Sequence, residues 1–363
     1  MSIPAFNYKE LYIASEIPGF SGAPPTPVYS FPAPPRDAVI ALYKRAPLWQ
    51  ITTLEQKAFC PGLNPDNIAR AFVFDAISLP TGCNGGKDMF NIEWEYIAKV
   101  GGSMVRPGNP YLKSANEWHD KLIWPDIDSW DWETASRVNT QYLSTDKFVS
   151  CIIINGWYER LISFMDFEGA VVAMVDEDQT TAVKLLFDKL SDFYIMLINK
   201  YLSFFPQIDG FSIHDDWGGQ QDTFFSPAVA AEMIVPFMKK VTDHLHCAGK
   251  FCELHSCGQL MKQIPNIIAA GWDSWSGQPI NDLHRIYELY GDELIIGVGI
   301  NQDNLTSLTE EEQRSLARDY ADKYCNPKKP SVFNFYSGLS LTNAFREELY
   351  IRSREHYSNS EER

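Results

Sequence analysis

Eight short apolar runs recur along the chain, separated by longer stretches with helix signals, and no other feature limits the fold as tightly. The runs are residues 47–53, 69–79, 148–155, 210–216, 250–257, 272–278, 294–300 and 331–336. Several are almost unbroken, as in Phe148-Val149-Ser150-Cys151-Ile152-Ile153-Ile154. A strand with one wet face alternates apolar and polar residues, whereas an unbroken run belongs to a parallel strand covered on both faces. Between the runs, Ser226-Pro227 supplies an N-cap followed by proline at the first helical position, and Gly249 closes that helix. Pro236 predicts a kink inside it. Asp282 and Gly291 bracket another helix, Thr309 with Glu312 forms a capping box, and residues 178–202 pattern as a long amphipathic helix. Eight strands alternating with helices predict an α/β fold, a (β/α)8 barrel in the first place and a doubly wound open sheet as the alternative.

Two segments stand outside this alternation. Residues 1–36 form a Pro-rich arm, where Pro24-Pro25-Thr26-Pro27 and Pro32-Ala33-Pro34-Pro35 favour extended backbone. Its Pro, Tyr and Phe suit a strap laid over the domain or over a neighbouring subunit of a homo-oligomer; a loose tail is the alternative. Residues 37–363 are assigned to the barrel. Within them, residues 80–147 are an excursion rich in Gly, Pro, Trp and Asp, which is expected to be a lid or an inserted subdomain at the barrel mouth.

The charge balance excludes some partners. Against 31 Lys and Arg stand 47 Asp and Glu, a net charge of −16, with no basic cluster. Nucleic acid and anionic membrane surfaces both require concentrated positive charge. No run approaches eighteen apolar residues, so no transmembrane helix is expected. Met1 to Glu10 lack a basic start followed by an apolar core, and the seven Cys are odd in number and scattered. Both features point to a cytoplasmic protein with reduced thiols. Aromatics reach 13%, enough either for a rich core or for a pocket that takes a flat apolar ligand.

The chemistry concentrates in Lys250-Phe251-Cys252-Glu253-Leu254-His255-Ser256-Cys257-Gly258. On a strand, Phe251, Glu253, His255 and Cys257 share one face, and Cys252, Leu254 and Ser256 share the other. An imidazole and a thiol two residues apart can reach one ion, and zinc prefers such ligands. Isolated, the pair is as well explained by a packed Cys and a hydrogen-bonded His. Phe211-Ser212-Ile213-His214-Asp215-Asp216-Trp217-Gly218 ends the preceding run, so it should lie beside the first segment. Only one of Asp215 and Asp216 can point inward, sharing its face with either Ile213 or His214. An inward Asp would bind substrate, orient His255 or act as acid or base; the alternative is an N-terminal cap. Gly218-Gly219 marks a tight turn without the spacing of a phosphate loop.

In this order, Asp215-Asp216-Trp217-Gly218, Ser226-Pro227, Leu254-His255-Ser256-Cys257-Gly258, Gln278-Pro279 and Tyr290-Gly291-Asp292 resemble the uroporphyrinogen-decarboxylase (URO-D) superfamily. Within it they look most like the corrinoid-dependent methyltransferase branch, which includes the methyltransferase I components of O-demethylases in anaerobic metabolism. The resemblance spans about residues 36–350 and implies a (β/α)8 TIM barrel. It implies transfer of a methyl group from a small methylated substrate to the cobalt of a separate corrinoid protein, with a methoxylated aromatic favoured. It implies zinc held by His255 and Cys257 together with a later Cys on the last strand. Here that place reads Phe335-Tyr336-Ser337-Gly338, so Glu253 or the inward Asp is the candidate third ligand. Asp215 and Asp216 are the candidate catalytic residues. Asn155, Trp157, Tyr158, Trp217, Gln278 and Tyr336 are the candidate substrate contacts. Porphyrinogen decarboxylation is disfavoured, because Trp49-Gln50-Ile51-Thr52-Thr53-Leu54-Glu55 lacks the arginines that would hold a polycarboxylate. Another decarboxylase or lyase would draw on Arg106, Arg160 and Arg285, and a non-catalytic small-molecule-binding barrel is the third alternative.

Overall fold

The computed structural model describes residues 4–18, 24–77, 85–99, 102–300, 304–334 and 341–358. The chain divides into two compact units. One comprises Met1–Lys57, Asp146–Phe148 and Asp282–Arg363; the other comprises Ala58–Thr145 and Val149–Asn281.

The second unit is built on parallel strands. Phe148–Ile153 pairs with Gly210–His214, which pairs with Phe251–His255, which pairs with Ser274–Ser276. Gln56–Phe59 stands next to Phe148–Ile153 in the strand order. The long helices Trp157–Ala173, Thr180–Phe204 and Val235–Cys247 connect these strands. Phe211, Ile213, Cys252, Leu254 and Trp275 occupy one face of the strands and are buried. The other face carries Ser212, His214, Glu253, His255, Ser274 and Ser276 in matching rows, since Ser212 is level with Glu253 and His214 with His255. The near-continuous apolar runs have this origin: helices cover one face and other strand side chains fill the opposite one.

The first unit has its own parallel pair, Ile295–Val298 with Ser331–Phe333. Ile51 adds a single parallel bridge to Val332. The arm belongs to this unit. Its strand Ile13–Ile17 pairs antiparallel with Thr26–Tyr29, and Glu10 is buried where Tyr350 and Arg354 donate to it at 2.6 and 2.9 Å. Phe31 stacks on Trp49 at 5.0 Å. The described part of the arm packs within this unit through these contacts.

The α/β alternation is present, with seven strands of this set among the described residues. Six of the expected runs supply strands. The other two do not: the run 47–53 gives only the Ile51 bridge, and in the run 69–79 Ala69 ends a helix, Ala71 takes φ 57°, and Phe74 makes only an antiparallel bridge to Cys60. Its place is taken by Gln56–Phe59, whose Gln and Lys hide it from an apolar count. The helix after Ser226 breaks at Ile234 into Pro227–Met233 and Val235–Cys247, with Pro236 in the first turn of the second piece. Gly249 at φ 69° and the Thr309–Glu312 capping box close and open helices as their residue types demand.

The excursion contains an antiparallel sheet of Gly85–Lys87, Glu93–Ile97 and Gly102–Val105. It is anchored through Asp88, whose carboxylate accepts from the Phe90 and Ile92 amides, the Trp94 indole and Arg160 Nη1. The Arg160 guanidinium, fully buried, pairs with Asp66 as well. Two buried anions around one buried cation are tolerated because each has hydrogen-bond partners; removal of any member leaves an uncompensated charge. Among the described residues no helix is long and apolar enough to cross a membrane.

Candidate metal centre and its cavity

The loops that follow Gly210–His214 and Phe251–His255 are zipped together beyond the end of the strands. The Asp215 amide donates to the His255 carbonyl at 3.0 Å, and the Trp217 amide to Ser256 Oγ at 3.0 Å. The Cys257 amide donates to Asp216 Oδ1 at 2.7 Å, and the Gln259 amide to the Gly219 carbonyl at 2.9 Å. This approach requires glycine. Gly258 has φ +89°, and a Cβ there would sit 2.1 Å from the Gly218 backbone. The zipper fixes the parity that sequence left open. Asp216 shares its side with His214 and approaches Cys257, while Asp215 turns the other way with Ile213.

The result is a cluster of Asp216, His255 and Cys257 whose ligand atoms lie within 4.8 Å of one another. His255 Nε2 is 3.4 Å from Cys257 Sγ. Two ligands of a tetrahedral zinc, at bond lengths of about 2.0 and 2.3 Å, lie about 3.5 Å apart, so nitrogen, sulfur and carboxylate fit that ion. Burial lowers the His255 pKa below its ordinary value, which favours the neutral imidazole that ligates. Burial and the neighbouring Asp216 carboxylate push the Cys257 thiol up. His214, level with His255, has its ring 4.4 Å from that of His255, and its pKa is lowered, by burial first and then by the neighbouring His255 and Arg70. Glu253 lies one row deeper, where its carboxylate accepts from Ser212 at 3.2 Å and Ser274 at 3.4 Å.

The other candidates fall in different places. Asp215 is fully buried and accepts from the Glu159 amide at 2.9 Å and the Trp217 indole at 2.8 Å; burial raises its pKa well above its ordinary value. Trp157 lies in a helix core, donating to Ser191. Tyr158 and Trp217 are likewise fully buried. These three aromatics are packing residues, not an accessible wall: Trp157 and Tyr158 open the helix Trp157–Ala173 and face the core, and Trp217 is held inward by its bonds to Ser256 and Asp215. The Tyr158 hydroxyl has no hydrogen-bond partner. Gln278 accepts from the Gly258 amide at 2.9 Å and so braces the zipper. Asn155 accepts from Arg70 at 2.8 Å and donates to Asp66 at 3.0 Å. Tyr336 and Ser337 lie outside the described residues. Cys325 donates to Gln50 in the first unit.

Two residues that the sequence did not single out, Arg70 and Glu159, connect the cluster to a cavity. They are paired at 3.0 Å, and their charges act on His255. They also line a cavity of about 310 Å³ with Trp94, Ile162, Asp166 and Phe167. Arg70 lies over the Trp94 ring at 4.9 Å. Burial raises the Glu159 pKa, against the pull of Arg70, and its Oε2 has no hydrogen-bond partner. Asp166 holds φ 59° inside its helix and accepts from the Gly108 amide at 2.7 Å, a strained residue at the cavity wall. Of the three arginines considered for decarboxylation, Arg160 is sealed between Asp66 and Asp88. Arg106 and Arg285 are exposed and pair with Glu95 and Glu288.

No protein-family model matches the sequence, and no characterised protein matches it at significant similarity. Among solved structures, a methyltransferase from Methanosarcina mazei is similar with a TM-score of 0.58 and 13% identity, over 90% of this chain and 99% of that one. At that identity the likeness is one of fold. A β-1,4-D-mannanase from Cryptopygus antarcticus (TM-score 0.31, 10% identity, 64% of this chain and 72% of that one) is far less similar. So is a family 2 AP endonuclease from Brucella melitensis (0.33, 9%, 60% and 83%).

Proposed function

We propose that this chain is a methyltransferase that moves a methyl group from a small methylated compound, a methoxylated aromatic in the first place, to the cobalt of a separate corrinoid protein. The proposal includes a closed (β/α)8 barrel of the URO-D type and a cytoplasmic setting. The observation that carries it is the Asp216–His255–Cys257 cluster at the strand ends, on whose His255 the charges of Arg70 and Glu159 act; those two residues line a largely apolar cavity. That cavity lies near the small end of the usual range of about 300–1,000 Å³ for ligand sites. A zinc ion held by the three residues would supply a Lewis acid at the substrate's heteroatom.

The chain's own residues account for the rest. Trp94, Ile162 and Phe167 offer an apolar wall to an aromatic ring and exclude water. Phenolate is a poor leaving group, so the ether oxygen needs a proton as its bond to methyl breaks. Glu159, whose pKa burial raises and whose Oε1 Arg70 holds, would be the donor: its buried Oε2 has no hydrogen-bond partner and would carry the proton to a bound ether. The electron pair of the broken C–O bond stays on that oxygen, and the partner's Co(I) supplies both electrons of the new bond to carbon.

Mixing the protein with a reduced corrinoid protein and a panel of methoxybenzenes tests this by absorbance. The expected result is methyl-cobalt with release of a phenol, abolished in Cys257→Ser and His255→Ala. Carbon dioxide release from aromatic acids would replace the reading with decarboxylation. Tight ligand binding without turnover would replace it with a binding protein.

A further inference from the structure

On the opposite face of the strand Phe251–His255, near its start, a second group of donor atoms comes together from three elements. His246 lies in the last turn of the helix Val235–Cys247, Cys252 is the second residue of the strand, and Asp273 immediately precedes Ser274–Ser276. His246 Nε2 is 3.5 Å from Cys252 Sγ, Cys252 Sγ is 3.4 Å from Asp273 Oδ2, and Asp273 Oδ2 is 3.1 Å from His246 Nε2. A tetrahedral zinc with bonds of about 2.3 Å to sulfur and about 2.0–2.1 Å to nitrogen and oxygen has ligand-to-ligand edges of about 3.3–3.5 Å. The three observed edges match these within about 0.2 Å.

We propose that His246, Cys252 and Asp273 form a second metal site, suited to zinc, that clips this helix end to two neighbouring strands. Nitrogen, sulfur and carboxylate together select zinc over magnesium or calcium, which prefer oxygen alone. Supporting contacts hold the ligands. The Cys252 amide donates to Asp273 Oδ2 at 2.8 Å, and the Asp273 amide donates to the Cys252 carbonyl at 3.0 Å. Such bonds fix a carboxylate in the orientation a metal requires. Cys252 is sealed from solvent, but the His246 side chain is 39% exposed, which leaves a path for the ion and a water for its fourth position. Asp243, one turn earlier on the helix, acts on both His246 and Cys252 and adds negative charge to the surroundings. Binding releases the Cys252 thiol proton to solvent. The site lies on the face of the strand away from His255, and it stands independently of the proposed methyl transfer.

Metal analysis of the full chain, loaded with zinc and dialysed, tests the site. Two equivalents are expected in the unaltered protein. His246→Ala and Cys252→Ser should each remove one, and Cys257→Ser should remove the other. Cobalt(II) substitution of Cys257→Ser should retain a thiolate-to-metal absorption that Cys252→Ser then abolishes. His246 is partly exposed, so His246→Ala should fold even if Cys252→Ser does not; circular dichroism checks both. Unchanged metal content in folded His246→Ala overturns the site. Zinc lost only on Cys257→Ser overturns it and leaves the Asp216–His255–Cys257 centre standing. Zinc lost only on His246→Ala or Cys252→Ser supports it and overturns that other centre.

Discussion

Gly258→Ala should loosen the metal centre without touching any of its three ligands. At φ +89°, alanine costs about 1–3 kcal/mol of backbone strain. Its Cβ would stand 2.1 Å from the Gly218 carbonyl, and backbone cannot rotate away as a side chain can. Crowding of this kind costs about a further 1–3 kcal/mol, against which the stiffer unfolded chain returns about 0.4–1 kcal/mol. The net loss is about 2–5 kcal/mol, relieved by parting the two loops. That parting separates Asp216 from Cys257, so zinc affinity should fall by about 10–100-fold, the usual effect of disturbing the residues that orient metal ligands. Gly86→Ala isolates the strain alone, because Gly86 has φ +102° and no atom within 4 Å of its added Cβ. Competition titration with a chelating zinc indicator, run with urea unfolding on both variants, separates the contributions. Gly86→Ala should lose only stability. Undiminished zinc affinity in Gly258→Ala would refute the claim that the zipped loops position the centre.

Three further outcomes follow from the buried charges and the arm. Arg160→Met should cost about 3–5 kcal/mol, since it strands the carboxylates of Asp66 and Asp88; urea unfolding and proteolysis between residues 85 and 105 measure it, and a loss under about 1 kcal/mol contradicts it. Glu159→Gln should lower turnover by about 10²–10⁴-fold while leaving methoxybenzene affinity nearly unchanged, as stopped-flow and calorimetry would show. Burial alone would raise the Glu10 pKa, but bonds from Arg354 and Tyr350 outweigh it and hold the group below its ordinary value. The stability it contributes is thus present above the unfolded carboxyl pKa and lost as pH falls through the lower folded value. Acid-induced proteolysis of the arm should show that loss, and Glu10→Gln should remove the pH dependence.

Much of the framework is legible in the sequence because burial on both faces leaves unbroken apolar runs. Residues 148–155, 210–216, 250–257 and 294–300 all contain strands. Caps such as Thr309 with Glu312 act locally and are equally visible. Gln56–Phe59 escapes because it is short and only partly buried, and the 69–79 run misleads because its apolar residues serve a helix end and a bridge. In the site, period two places His255 and Cys257 together, but the choice between Asp215 and Asp216 depends on a zipper between two loops. Trp157, Tyr158 and Trp217 show the limit of reading aromatics: composition cannot tell a core from a mouth. Arg70 and Glu159 lie 89 positions apart, and only the folded chain joins them.

The most direct measurement is an anomalous difference map of the zinc-loaded protein at the zinc edge. A peak bonded to His255 Nε2, Cys257 Sγ and an Asp216 carboxylate oxygen, at about 2.0–2.3 Å, is the predicted result. At saturating zinc, no peak among those three atoms would contradict the metal centre and the methyl transfer built on it.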